Sequence, residues 1–210
     1  MITMGKISLT LTKTIFILLI IITPGYAEQP TPLINEIMSS SASTIEDEYG
    51  DYSDWIELYN PGVSSIDLSG YGLSDRPDNP YKWIFPNCFI FPGEHKLIFT
   101  SGKDRIDDSN LHTNFRISAT GETITLTDAA GNVCDQVDTG YIPKNISRGR
   151  NPDGGAEWVF FEQLTPGESN STQGFETFAD DVVISPDGGF FNVQQTVELT
   201  AQSESCIIRY

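Results

Sequence analysis

The residues best suited to chemistry lie between Glu46 and Asn60, where the chain reads Glu-Asp-Glu-Tyr-Gly-Asp-Tyr-Ser-Asp-Trp-Ile-Glu-Leu-Tyr-Asn. Asp47, Asp51 and Asp54 crowd around Gly50 and offer several carboxylate oxygens on one tight turn. A hard cation such as Ca²⁺ takes six to eight oxygen ligands in a flexible loop. The spacing is not that of an EF-hand, because the D-x-[DN]-x-[DN]-G order and its distal Glu are missing. Two readings stay open: Asp47, Asp51 and Asp54 hold a structural or bridging Ca²⁺, or the loop is solvated and Asp54 or Ser53 hydrogen-bonds the start of the next strand. The first predicts that Ca²⁺ raises the melting temperature and that replacing Asp47 and Asp51 by Ala abolishes the rise. Tyr49 and Tyr52, flat rings beside carboxylates, form a candidate ligand-binding platform for sugar or peptide.

The remaining chemistry is thin. His95 and His112 stand outside any H-x-x-x-H or H-E-x-x-H spacing and read as β-surface or loop residues. Glu57 reads as a cross-strand partner on a surface face. Paired carboxylates for glycoside hydrolysis must line a cleft, and an isolated sandwich of this size usually has none. No G-x-S-x-G, P-loop or G-x-G-x-x-G pattern occurs; Gly70 and Gly72 come nearest, with no helix after them. The 210 residues read as non-enzymatic. Tyr71, Tyr81, Trp83 and Trp158 also lie near turns, while Trp55 and Trp158 fit a sandwich core.

The elements that position these residues are short strands. From Asp54 to Asn60 the chain alternates, Ile56 and Leu58 against Trp55, Glu57 and Tyr59, and stops at Asn60-Pro61-Gly62. That period of two marks a strand ending in a turn. Similar segments lie at Leu33–Met38, Ser65–Leu68, Ser69–Asp75, Tyr81–Phe85, Phe89–Phe91, His95–Thr100, Asn114–Ser118, Glu122–Thr127, Asn132–Val137, Ile146–Arg150 and Glu157–Phe161. Residues 103–113 read as a long polar loop. No stretch after the leader carries a capped 3.6 period. Turn signals every 8–12 residues then predict an all-β sandwich. From Gln163 to Ala179 the composition turns to Thr, Pro, Gly, Ser, Asn and Gln, which reads as a linker. A second β unit begins near Asp181.

The start of the chain reads as a leader. Lys6 and Lys13 precede the apolar run Ile15–Ile22, and Gly25 and Ala27 follow; this is a secretory signal cut after Ala27. The run is shorter than the about 20 apolar residues of a membrane span. The protein is therefore expected to be secreted or extracytoplasmic, in the periplasm or at the cell surface, with no membrane insertion once the signal is cut. Without Lys6 and Lys13, ten basic residues face all 29 acidic ones. Such a field repels phosphates and disfavours nucleic acid and anionic bilayers. Three cysteines, Cys88, Cys134 and Cys206, give no disulfide framework. A Cys88–Cys134 bond and two free thiols remain the alternatives.

The succession Ile34-Asn35-Glu36-Ile37, Asp54-Trp55-Ile56-Glu57-Leu58-Tyr59-Asn60, Asp67-Leu68-Ser69-Gly70-Tyr71-Gly72-Leu73 and Gly121-Glu122-Thr123-Ile124-Thr125-Leu126 resembles the lamin-tail domain, in the version found in exported bacterial proteins. Glu157-Trp158-Val159 and Thr165-Pro166-Gly167 are similar to its usual ending. The resemblance implies an immunoglobulin-like β-sandwich over residues 28–170, followed by a linker at 171–180. Residues 181–210, through Ser185-Pro186-Asp187-Gly188-Gly189-Phe190 and Ile207-Ile208-Arg209-Tyr210, resemble the start of the β-sandwich repeat at the C-terminus of chitobiase and β-hexosaminidase enzymes. The supplied sequence looks like the front of a longer protein, and bacterial proteins joining these two modules often continue into a spore-coat-type kinase domain. The implied function is a non-catalytic exported interaction or adaptor module with a protein or cell-surface glycan as partner. The alternatives are a carbohydrate- or cell-wall-binding module, or the accessory front end of a longer kinase or hydrolase. The nuclear and DNA-linked roles of the human relatives do not fit the leader and the charge.

Overall fold

The alternation from Trp55 to Tyr59 becomes strand β2, and it lies near the middle of the largest sheet. The computed structural model describes residues 30–106, 110–179 and 181–202. The expected leader and Cys206 with the strand Ile207–Tyr210 lie outside the described residues. Among those described there is no helix. None is therefore long and apolar enough to cross a membrane.

The strands run β1 Leu33–Met38, β2 Trp55–Tyr59, β3 Ile66–Asp67, β4 Gly72–Ser74, β5 Trp83–Ile84, β6 Phe89–Ile90, β7 His95–Phe99, β8 Leu111–His112, β9 Thr123–Thr127, β10 Val133–Asp138, β11 Ser147–Arg150, β12 Trp158–Phe161, β13 Gly174–Phe175, β14 Val183–Ser185 and β15 Glu198–Thr200. One sheet has the order β13-β12-β11-β1-β2-β7-β8, antiparallel except for the β7–β8 pair. The second has the order β10-β9-β4-β5. Two small ladders, β3–β6 and β14–β15, complete the set. The β9–β10 hairpin forms as its pattern predicts, around the turn Asp128–Asn132. Residues 114–118 do not form a strand; β7, paired with β2 on one side, takes β8 as its other neighbour, inside the stretch expected to be a loop.

Apolar side chains from both sheets meet between them. Ile34, Ile37, Ile56, Leu58 and Ile98 come from the large sheet and Leu73, Ile124 and Leu126 from the small one, with Trp83, Phe85, Phe115 and Ile142 closing the ends. This is an immunoglobulin-like β-sandwich. Trp83, expected near the surface, is buried edge-on against Phe85 with ring centroids 4.7 Å apart. Cys88 and Cys134 are half-buried free thiols, so the disulfide alternative is not realised.

The large sheet is also covered on its outer face. Neighbours Met38, Trp55 and Phe99 point away from the sandwich core and pack with Ile45 and Leu164. Leu164 belongs to the span whose composition reads as linker. That span is in fact bound to the domain. Residues 163–172 form a strap over the outer face, tied at Asn170 Nδ2 to the Arg150 carbonyl at 2.9 Å, and Gly174–Phe175 then pairs with β12. Small polar residues suit the strap because its contacts are made through backbone and amide groups rather than apolar bulk.

Candidate functional site

The acidic turn is built around Asp47. Its side chain is buried, and its Oδ1 accepts the Tyr49 and Asp51 amides at 3.0 and 3.2 Å. Its Oδ2 accepts the Ser53 hydroxyl at 2.8 Å and the Lys103 ammonium at 2.5 Å. Gly50 closes the turn with φ +79°, a conformation that costs a side-chain-bearing residue energy. Burial alone would raise the Asp47 carboxyl, but Lys103, Ser53 and the two amides outweigh it and hold it down at about 2.

Lys103 also reaches Asp51 Oδ2 at 2.9 Å and lies over the Tyr49 ring, 4.5 Å from its centroid. The ammonium therefore stands between the two carboxylates that a Ca²⁺ ion would have to share. Asp54 does not join them; its Oδ1 accepts the Ser41 amide at 2.8 Å, and burial raises its carboxyl. Asp47, Asp51 and Asp54 thus do not converge on one centre. Among the described residues, no group of three or more His, Cys, Asp or Glu has a metal-holding arrangement.

A second anchor escaped sequence reasoning. His112, expected at the surface, is fully buried and stacks on Phe99. Its Nε2 faces the Glu48 carboxylate at 3.0 Å and its Nδ1 the Ser101 hydroxyl at 2.9 Å. Burial opposes the charge on Glu48, yet its hydrogen bond to His112 leaves the carboxyl below its ordinary value. Ser, His and Glu in a row resemble a nucleophile relay. Here Ser101 is only 4% exposed, and its Oγ also accepts the Lys103 amide at 3.2 Å. The row ties the loop to the sheet; attack on a substrate would require Oγ to leave these partners. The 64-residue separation of Glu48 and His112 explains why no local motif marked them.

Held from both sides, the loop presents Tyr49 and Tyr52 to solvent at 50% and 43% exposure. Next to Tyr52 a polar hollow of about 350 Å³ is lined by Asp51, Asp54, Ser101, Lys103 and Arg116, among others. Arg116 is aimed by its Nε, which donates to the Ser101 carbonyl at 2.8 Å. Donors, acceptors and an aromatic edge thus share one rim, a composition suited to a hydroxyl-rich or amide-rich ligand.

The outer face of the large sheet holds a different acidic group. Glu36 and Glu57 face each other in register across β1 and β2, and both are 0% exposed. The surface role expected for Glu57 is overturned, because the strap covers the side of β2 that alternation assigned to solvent. Glu57 Oε2 accepts the Gly167 amide at 2.7 Å and its Oε1 the Asn35 amide at 3.3 Å. Glu36 Oε1 bonds the Ser147 hydroxyl, while Oε2 has no partner. Burial pushes Glu36 from 4.5 up to about 7. Burial and the Glu36 charge push Glu57 up to about 8. Asp153 lies alongside and bonds Asn35, Ser169 and the Asn170 amide. His95, also expected at the surface, has Nε2 3.2 Å from Asp153 Oδ2, in a geometry that does not make a hydrogen bond, and its ring stacks on Tyr59.

Compared with protein families, residues 27–140 match the family described as the Lamin Tail Domain. Among curated proteins, none matches the chain.

Proposed function

The chain belongs to the lamin tail domain family, and from that premise we propose that it is a non-catalytic interaction module of an exported protein, binding a partner protein or a cell-surface glycan through the acidic-loop end of its sandwich. What supports this most is a single observation: Asp47 and Glu48 are anchored to Lys103 and His112, so that Tyr49 and Tyr52 are exposed on a preorganised loop beside a polar hollow. Preorganisation lowers the ordering cost of binding. Exposed Tyr supplies broad contact area at low conformational cost. The net charge of −17 favours polar or cationic partners over nucleic acid.

The division into a leader at 1–27, a sandwich from 28 and a second module from 181 belongs to the same proposal, with Gly174–Phe175 of the expected 171–180 linker paired to β12. In the proposed second module, Val183 and Ile184 of β14 are exposed, and β14 pairs with β15. The carbohydrate- or cell-wall-binding reading draws on that module and on the Tyr-lined hollow alike.

The test is retention on insoluble peptidoglycan and chitin and on an immobilised panel of exported proteins. Wild-type protein should be retained by one of these supports, and Tyr49→Ala with Tyr52→Ala should lose at least about tenfold in affinity, the loss expected when a central aromatic anchor is removed. Equal retention of wild type and variant would refute the loop as the contact surface.

A further inference from the structure

The outer face of the large sheet buries two acids, Glu36 and Glu57, that make no ion pair with any described residue. Glu36 and Glu57 sit side by side across β1 and β2. The groups facing them come from every element packed there: Asn35 from the β1 bulge, Ser147 and the bare Gly149 from β11, Asp153 from the β11–β12 turn, His95 from β7, and Gly167 and Asn170 from the strap. The nearest arginines on β11 alternate to the other side. Arg148 reaches the Asp138 and Thr139 carbonyls, and Arg150 reaches Asp135. Lys96 on β7 is taken by Glu94 at 2.9 Å. Among the described residues, the basic side chain beside the pair is His95, and it faces Asp153.

An ionised carboxylate under those conditions loses its hydration without gaining a counter-ion, which is far costlier than burying a hydrogen-bonded acid. Glu36 Oε2 shows the same shortage directly, as a fully buried oxygen with no donor. The cover over the two acids is thin. Between Leu164 and Gly174 the strap is held mainly by polar bonds, among them Gly167 N to Glu57, Asn170 N to Asp153 and Ser169 to Asp153.

We propose that Glu36 and Glu57 are kept as neutral carboxylic acids beneath the 163–172 strap and together form a proton-operated latch, so that losing their protons lifts the strap and uncovers the outer face of β1, β2 and β7. The two protons leave as a coupled pair. The first carboxylate to form discourages the second, and once both are charged three acids, with Asp153, share one covered patch. Water entering under the strap relieves that repulsion. The uncovered surface would carry Trp55, Leu97 and Phe99 beside the acids, and it would be closed at acidic pH and open at alkaline pH.

Amide hydrogen exchange across residues 163–174, corrected for the intrinsic pH dependence of exchange, tests the latch. From pH 6 to pH 9, strap protection in the wild type should fall by roughly tenfold or more while β9 and β10 hold theirs. Glu36→Gln with Glu57→Gln, which mimics the neutral acids in shape, should keep the strap protected across the range. A flat wild-type profile would overturn the proposal, and so would an equal fall in the double variant. If the variant does not fold, infrared spectroscopy of the wild type decides instead. A carboxylic-acid carbonyl band at pH 6 that vanishes by pH 9 with the loss of strap protection supports the latch, and no such band refutes it. Neither measurement depends on the ligand of the Tyr49–Tyr52 loop.

Discussion

Two acidic regions of this sandwich receive opposite treatment. At the loop, Asp47 is buried with Lys103 at 2.5 Å and four donors in all, and it stays ionised far into acid. Under the strap, Glu36 and Glu57 are buried with neutral donors and a neighbouring Asp153, and their carboxyls rise to about 7 and about 8. Burial is common to both. The difference is the partner: one cation and a turn of backbone amides reverse the direction in which desolvation pushes an acid. Acidic residues in a strongly acidic chain therefore divide into a rigid charged anchor and a proton-holding pair.

The largest test of that contrast is the pH dependence of stability. Asp47 contributes stability above its unfolded value near 3.8, and the contribution is lost as pH falls towards 2. Glu36 and Glu57 act in the other direction. Their carboxyls are raised, so their contribution is complete below 4.5 and is lost as pH rises through about 7 and about 8. Each factor of ten in proton affinity is about 1.4 kcal/mol, so the two together remove on the order of 8 kcal/mol between pH 4.5 and pH 9. Urea unfolding at pH 5, 7 and 9 should show stability declining across that range, and Glu57→Gln should remove about half of the decline. Stability that climbs from pH 5 to pH 9 would show that the two acids are not neutral in the fold.

Lys103→Ala converts the loop into a copy of the strap region, a buried acid without its cation. Removing one partner of a buried pair costs about 3–5 kcal/mol. Lys103 is partly exposed and Asp51 more so, which lowers the expectation to about 2 kcal/mol. Adding Asp47→Asn should recover much of the loss, because the stranded charge disappears. A double variant no more stable than Lys103→Ala would mean that Lys103 acts by packing over Tyr49 rather than by charge.

The two regions also differ in how plainly they can be read from the chain. The loop was legible because its acids are neighbours in sequence and a glycine marks their turn. The sandwich was legible because β2 alternates, β7 carries the apolar run Leu97-Ile98-Phe99, and they stop at Asn60-Pro61-Gly62 and Ser101-Gly102. Glu36 and Glu57 were hidden by distance, since their pairing depends on strand register, with a bulge at Ile34–Glu36 shifting the faces. Alternation shows that Glu57 opposes Ile56 without saying whether the second face is wet. The cover itself was hidden by composition, as Thr165-Pro166-Gly167 and its neighbours hold by polar bonds with only Leu164 as apolar anchor. His112 and Ser101 were hidden because the Glu48 that completes their row lies on another loop.

Gly149 offers a smaller and more local way to break the strap side. A Cβ there would lie 2.7 Å from Asn170 Nδ2 and 3.0 Å from both the Asn35 carbonyl and Glu36 Cγ. Two of those neighbours are the strap's own anchor and a buried acid. Gly149→Ala should cost about 1–2 kcal/mol through overpacking. It should also raise exchange of the 163–172 amides at pH 6 as alkaline pH does in the wild type. A global loss of stability with the strap still protected would separate Gly149 from the latch.

The smallest effect, and the one that bears on whether an external cation has any place here, comes from Ca²⁺. In the wild type Lys103 Nζ already stands 2.5 Å from Asp47 and 2.9 Å from Asp51, so a divalent ion must displace a bonded ammonium before it can bridge the two carboxylates. Millimolar Ca²⁺ should leave the wild-type melting temperature unmoved. In Lys103→Ala the two carboxylates lose that competitor while the Gly50 turn still holds Asp47 in place. Extracellular-type sites bind Ca²⁺ with Kd on the order of 10⁻⁴–10⁻³ M. At about 10 mM Ca²⁺ such a site would restore about 1.4–2.7 kcal/mol, roughly the stability the lysine had supplied. Adding Asp51→Ala to Lys103→Ala should cancel the rescue, since one carboxylate is too few. A calcium-dependent rise already present in the wild type would instead mean that the ion enters beside Lys103, through Asp51 and Asp54 on the rim of the hollow, and the lysine would then no longer count as the loop's sufficient cation.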